Sequence, residues 1–88
     1  MIGNPTPCRF VLYHFKAPTN EGGWEERSRP AVVTSIGASD DVLNLFVFFE
    51  ADDWRYGGSA GHTRPHRHSV HPRTDKLTVD CWSWPPCA

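Results

Sequence analysis

Two runs dominate the distribution of apolar positions: Arg29-Pro-Ala-Val-Val-Thr34 and, after a short turn, Val42-Leu-Asn-Leu-Phe-Val-Phe-Phe49. In an extended chain successive side chains point to opposite faces. Leu43, Leu45, Val47 and Phe49 then share one face of the second run, and Val42, Asn44, Phe46 and Phe48 share the other. Both faces are apolar, more than a single small core can hide, and the surplus face calls for a covering partner. Cys8–Phe15 alternates as a further strand, with Phe10, Leu12 and His14 opposite Val11, Tyr13 and Phe15, and either set can face inward. Lys76–Trp84 is expected as the last strand and Ser69-Val70-His71 as a short edge strand.

The breaks between these runs are legible from turn chemistry. Met1–Pro7, with two prolines, suits an extended arm, and residues 85–88 form a tail after the last strand. Ala17–Ser28 reads as a polar loop in which Trp24 is the one large apolar anchor. Residues 36–41, with Gly37 followed by Ser39, Asp40 and Asp41, make a hairpin turn. Ala51–Pro72, rich in Gly, His, Arg and Ser, is expected as a long insert loop within one domain spanning 8–84. With eight prolines and seven glycines interrupting the chain, no helical period survives, and the fold class is mainly β.

Composition tightens this picture. A chain of 88 residues makes one domain. A domain of this size buries only about 60–65% of its unfolded surface, so cross-links or assembly add meaningfully to its stability. The formal charge of −1 provides no field for a polyanion. Nothing resembles a signal peptide or a membrane span, so synthesis without export and no membrane partner are expected.

Val11-x-Tyr13, Arg29-Pro-Ala-Val-Val-Thr34, Leu43-Asn-Leu-Phe-Val-Phe48 and Trp82-Ser-Trp-Pro85 together resemble, in order and spacing, a pattern in small uncharacterised tailed-bacteriophage proteins. The pattern runs as an Arg-Pro-Ala strand, a Val-Asn-Leu-x-Val-Phe strand and a terminal Trp-x-Trp-Pro, and covers about half the chain. The resemblance implies a small SH3-like β-barrel of about five strands and a setting in the virion. The chain departs from the pattern in four ways: Phe49-Glu-Ala-Asp-Asp-Trp54 stands where the family has an Asp-Gly turn, the His/Arg-rich insert is longer, three cysteines are added, and Phe46 occupies a commonly polar position.

The expected role is a structural protein of the particle, a capsid decoration or cement subunit bound to the major capsid protein and to neighbouring copies of itself. Its contact residues are expected to be Phe46, Phe48, Trp82 and Trp84, with Arg64 and Arg67 from the insert. Trp82 and Trp84 have an alternative reading as the groups that close the barrel end. A head–tail or baseplate accessory and a phage-encoded nucleic-acid-binding or regulatory module are the competing roles. The latter rests on Arg64, Arg67, Arg73 and Lys76 with Trp54 and Tyr56, and the acidic runs Asp40-Asp41 and Asp52-Asp53 oppose it.

Cys8, Cys81 and Cys87 are odd in number, so at least one is left over for a free thiol or an intermolecular disulfide. Because first and last strands of such barrels run near each other, Cys8 with Cys81 or Cys87 is the intramolecular pairing to test. His62, His66, His68 and His71 offer metal donors, but no Cys-x-x-Cys pair accompanies them and Arg64, Arg67 and Arg73 lie among them, so no metal is assigned. No cofactor motif or nucleophile–base frame is present, and an enzyme is not expected. Asp40, Asp41, Asp52 and Asp53 read as turn formers or solvated charge, and His14 as a hydrogen-bonded structural group.

Overall fold

The computed structural model describes residues 7–50, 53 and 65–85, and five strands among them close into a small SH3-like β-barrel without helices. They are β1 (Phe10–Pro18), β2 (Trp24–Ile36), β3 (Leu43–Val47), β4 (His66–Pro72) and β5 (Cys81–Ser83). β1 to β4 form an antiparallel meander; β5 then pairs antiparallel with β1 and parallel with β4, which completes the ring.

Alternation places one side chain in two inside. Val11, Tyr13, Phe15 and Ala17 of β1, Ala31 and Val33 of β2, Leu43, Leu45 and Val47 of β3, Val70 and Trp82 form one continuous core. Phe49, Ile36 and Trp84 pack against it. Of the two candidate faces on β1, the one bearing Val11, Tyr13 and Phe15 is therefore interior. Tyr13 and Phe15 meet Phe49 edge-on at 6.2 and 5.0 Å between ring centroids.

Element boundaries depart from the expectation where pairing outweighs local composition. The supposed polar loop 17–28 is mostly ladder: Phe15↔Arg27, Lys16↔Glu26, Ala17↔Glu25 and Pro18↔Trp24 are in register, and only residues 19–23 turn. The turn is closed by hydrogen bonds from the Thr19 amide to the Gly23 carbonyl (2.9 Å) and from the Gly23 amide to Thr19 Oγ1 (3.1 Å), with Gly22 at φ +85°. The expected edge strand around Val70 is instead an interior member of a closed barrel and begins at His66. The expected long last strand shrinks to three residues. Residues 73–80 turn, held by Thr74 Oγ1 accepting from the Lys76 and Leu77 amides, and Asp80 enters β5 with φ +54°.

Two register shifts flank β3, one between Val33 and Ser35 on β2 and one opposite Leu43–Leu45 on β4, where Ser69 takes φ +55°. Asn44 serves both. Its Nδ2 donates to Ser35 Oγ at 2.9 Å and its Oδ1 accepts the Ser69 amide at 3.0 Å, so one side chain satisfies groups that the irregular ladders leave over.

Cys8 and Cys81 are free thiols. Of the two intramolecular pairings to test, Cys8–Cys81 is excluded by register. Cys81 sits opposite His14, six positions beyond Cys8 along the chain. At about 3.3 Å per extended residue the two are far beyond the roughly 7 Å Cα limit of a disulfide. Cys8 is exposed and Cys81 buried; Cys87 lies outside the described residues.

Candidate functional site: an aromatic ridge across four strands

The outward face of β1, β2 and β3 is apolar over its middle. Phe10, Val32 and Phe46 are register partners in consecutive strands, and the chain just beyond β3 continues the pairing through the Phe48 amide, which donates to the Pro30 carbonyl at 3.0 Å. Above this sheet the rings of Phe10 and Phe48 stack at 6.2 Å, Phe48 meets Phe46 at 5.5 Å, and Phe46 meets His66 of β4 at 5.1 Å. The result is an unbroken ridge of four rings running from β1 to β4.

Phe10 and Phe48 remain 56% and 45% exposed, which leaves apolar rings in water although each already leans on a neighbour. Arg9, next to Phe10 in the chain, and His66 and His68 of β4 are exposed, as is Glu50, which lies 3.6 Å from Arg29.

The remaining expected contact residues have other places. Trp82 is buried in the core and donates its indole N–H to the Asp41 carbonyl at 2.8 Å, and Trp84 packs against it edge-on at 5.6 Å. Of their two readings the barrel-closing one describes them, because β5 turns Trp82 inward beside Tyr13. Arg67 is not a loop side chain: it faces inward on β4 and lies over the rings of Tyr13 and Phe49 at 5.9 and 5.3 Å. Arg64 and His62 fall outside the described residues. His66, His68 and His71 are exposed on β4, and among the described residues no three potential ligands converge on a point. Phe10 was not singled out by the linear pattern, because only the register with Val32 and Phe46 brings it into the ridge.

A second cluster surrounds Asp53. Of its two expected readings, turn former or solvated charge, the second is overturned: Asp53 is fully buried, while its amide donates to the Glu50 carbonyl at 3.0 Å in a local turn. Its Oδ1 accepts from Arg29 Nη2 at 2.6 Å and Arg27 Nη1 at 3.1 Å, and its Oδ2 accepts from Arg29 Nε at 3.0 Å and the Glu50 amide at 2.8 Å. Both arginines lie on the inward-facing positions of β2, so the carboxylate joins the chain after β3 to the inside of the barrel mouth. Burial pushes the Asp53 carboxyl up, but the hydrogen bonds from Arg29, the Glu50 amide and Arg27 outweigh it and hold the group below its ordinary value.

On the other side of β1, His14 is buried on the outward face, with Nε2 2.7 Å from Ser83 Oγ. Burial, reinforced by Arg73, lowers its pKa and favours the neutral ring. Burial likewise raises the Cys81 thiol, which suits an inert structural cysteine. Tyr13 donates to Asp80 Oδ1 at 2.8 Å, and desolvation followed by that bond raises its phenol far above the ordinary value. These are interactions that stabilise the barrel.

Compared with models of protein families, with curated proteins and with solved structures, the chain matches none of them.

Proposed function

We propose that the protein is a structural subunit of a phage particle, a decoration or cement protein that braces the major-capsid lattice through its aromatic ridge. The observation that carries this reading is the ridge itself: Phe10, Phe46 and Phe48 form a continuous row of rings across the strands, with Phe10 and Phe48 about half exposed. The resemblance in Arg29–Thr34, Leu43–Phe48 and Trp82–Pro85 supplies the setting. Covering a large apolar side chain completely contributes about 1.5–3 kcal/mol. With Phe10 and Phe48 about half exposed, the two together supply roughly 2 kcal/mol per subunit. That is weak for one contact and ample when many copies bind one shell.

The test is occupancy of washed particles. The wild-type protein is expected to approach the copy number of the coat subunit by quantitative mass spectrometry, and a Phe10→Ser/Phe48→Ser variant to be stripped while keeping its circular dichroism spectrum. Wild-type protein that is absent from washed particles overturns the reading. A low fixed copy number in particles favours a head–tail or baseplate position instead.

A second reading draws on the same surface, since aromatic rings on the sheet face of a small barrel are also used to stack the bases of single strands. It is disfavoured here because the rings pack on one another, Phe46 against Phe48 at 64°, and the formal charge of −1 offers no field for a polyanion.

A further inference from the structure

The ring of strands is not equally strong all the way round. β1 and β2 run in register from Phe10↔Val32 to Pro18↔Trp24, whereas β5 meets β1 over Leu12–His14 and β4 over His71–Pro72. The pairing with β4 is parallel, the less stable kind, and one of its members is Pro72, which has no amide hydrogen to donate. Side chains supply what this short ladder lacks. Tyr13, facing inward, donates to Asp80 Oδ1 at 2.8 Å, and His14, facing outward, meets Ser83 Oγ at 2.7 Å. Adjacent residues of β1 thus hold the two ends of β5 from opposite faces. The Asp80 amide adds a bond to the His14 carbonyl at 2.7 Å.

His14 is therefore built into the seam, and it is shut away from water although it lies on the outward face. Cys81 and Ser83 flank it on β5, Ser28 stands opposite it on β2, and Leu12 and Lys16 are its same-face neighbours on β1. The charged groups around it are Lys16, Glu26 opposite Lys16, and Arg73, which reaches Glu26 at 4.0 Å. His71, the register partner of Cys81 on β4, is exposed. A proton added to the His14 ring puts a charge in a poorly hydrated position beside Arg73, with Glu26 as a countercharge already shared with that arginine.

We propose that the β1–β5 seam is an acid-sensitive gate in the barrel: when His14 gains a proton, β5 and the turn 73–80 swing out as a unit while the β1–β4 meander stays folded. Trp82 keeps the gate shut at neutral pH. Its side chain is buried and its indole N–H donates to the Asp41 carbonyl at 2.8 Å, so opening gives up that burial along with the seam bonds. Opening presents the Trp82–Trp84 pair and the otherwise sealed Cys81 thiol. The gate operates whatever covers the aromatic ridge.

Hydrogen exchange of the full-length chain, read by mass spectrometry and corrected for the intrinsic pH dependence of exchange, reports opening segment by segment. At about pH 7.5 peptides spanning residues 78–84 are expected to open more readily than those spanning 31–36 and 43–47. Lowering the pH to about 5 is expected to raise the opening of 78–84 selectively. The limit is about thirtyfold, reached when the ring titrates at its ordinary value of 6.5 in the open form and stays neutral in the closed one. His14→Gln is expected to abolish this acid response and His71→Gln to leave it intact. Arg73→Gln, at a side chain 44% exposed, is expected to reduce it, and decides the matter if His14→Gln does not keep the wild-type circular dichroism spectrum.

Uniform protection of all strands, an acid response shared equally by 31–36 and 43–47, a response lost in His71→Gln, or one unchanged in His14→Gln and Arg73→Gln overturns the gate.

Discussion

Replacing Asp53 by Asn removes one charge and one acceptor from the most densely bonded side chain in the described structure. The carboxylate takes bonds from Arg27, Arg29 and the Glu50 amide. The amide of Asn retains a single acceptor oxygen and must aim its NH2 group at one of these donors. Removing one member of a buried ion pair costs about 3–5 kcal/mol when the other is left without compensation. Here the arginine side chains are 18% and 23% exposed, and Glu25 at 2.6 Å from Arg27 and Glu50 at 3.6 Å from Arg29 remain as fallbacks. The expected loss is therefore about 2–3 kcal/mol, against a total stability of roughly 4–13 kcal/mol for a domain of this length. That lowers the melting temperature by roughly 10–20 °C.

Urea unfolding followed by tryptophan fluorescence at neutral pH measures the effect, and its pH dependence identifies the cause. Since the folded carboxyl titrates below its unfolded value, its contribution is present above about pH 3.9 and is lost as pH falls through the lower folded value. The gap between wild type and Asp53→Asn is expected to close over that acid range. A variant within about 0.5 kcal/mol of wild type at neutral pH, or a gap that persists in acid, refutes the role assigned to this carboxylate.

Four further outcomes are expected. Because burial lowers the His14 pKa, its neutral form contributes stability above about pH 6.5 that declines as pH falls through the folded value, and His14→Gln is expected to flatten this limb of a stability–pH curve. Ser69 is exposed at φ +55°, so Ser69→Gly, which keeps the amide bonded to Asn44, is expected to raise unfolding stability by about 0.5–1 kcal/mol, whereas Gly37→Ala lowers it by about 1–3 kcal/mol because the new methyl meets the Val42 carbonyl at 2.8 Å. In alkylation followed by peptide mass spectrometry Cys8 is expected to react at once and Cys81 only on unfolding, as their exposure requires.

Much of this barrel can be read in the linear pattern. The alternation in Val42–Phe49 sorted Leu43, Leu45 and Val47 inward from Phe46 and Phe48 outward, because a strand has a period of two whatever it pairs with. The aromatic and β-branched runs separated by turn residues likewise specified a β protein of one domain. Composition misled where the decisive partner was distant. Glu25-Glu26-Arg27 and His66-Arg67-His68 look like solvated loops, yet β1 and β3 recruit them into the ladder, since backbone hydrogen bonding tolerates polar side chains wherever the outward face meets water or the inward one meets an aromatic ring or a countercharge.

Local sequence determined the strands and their two faces. Tertiary structure alone decided the rest: that Asp53 is buried under two arginines 24 and 26 positions away, that Cys8 and Cys81 stay apart, and that Phe10 joins Phe46 and Phe48 in one ridge. Each of these depends on register between strands, and register is fixed by the summed fit of all pairs around a closed ring, a quantity that no single stretch of chain contains.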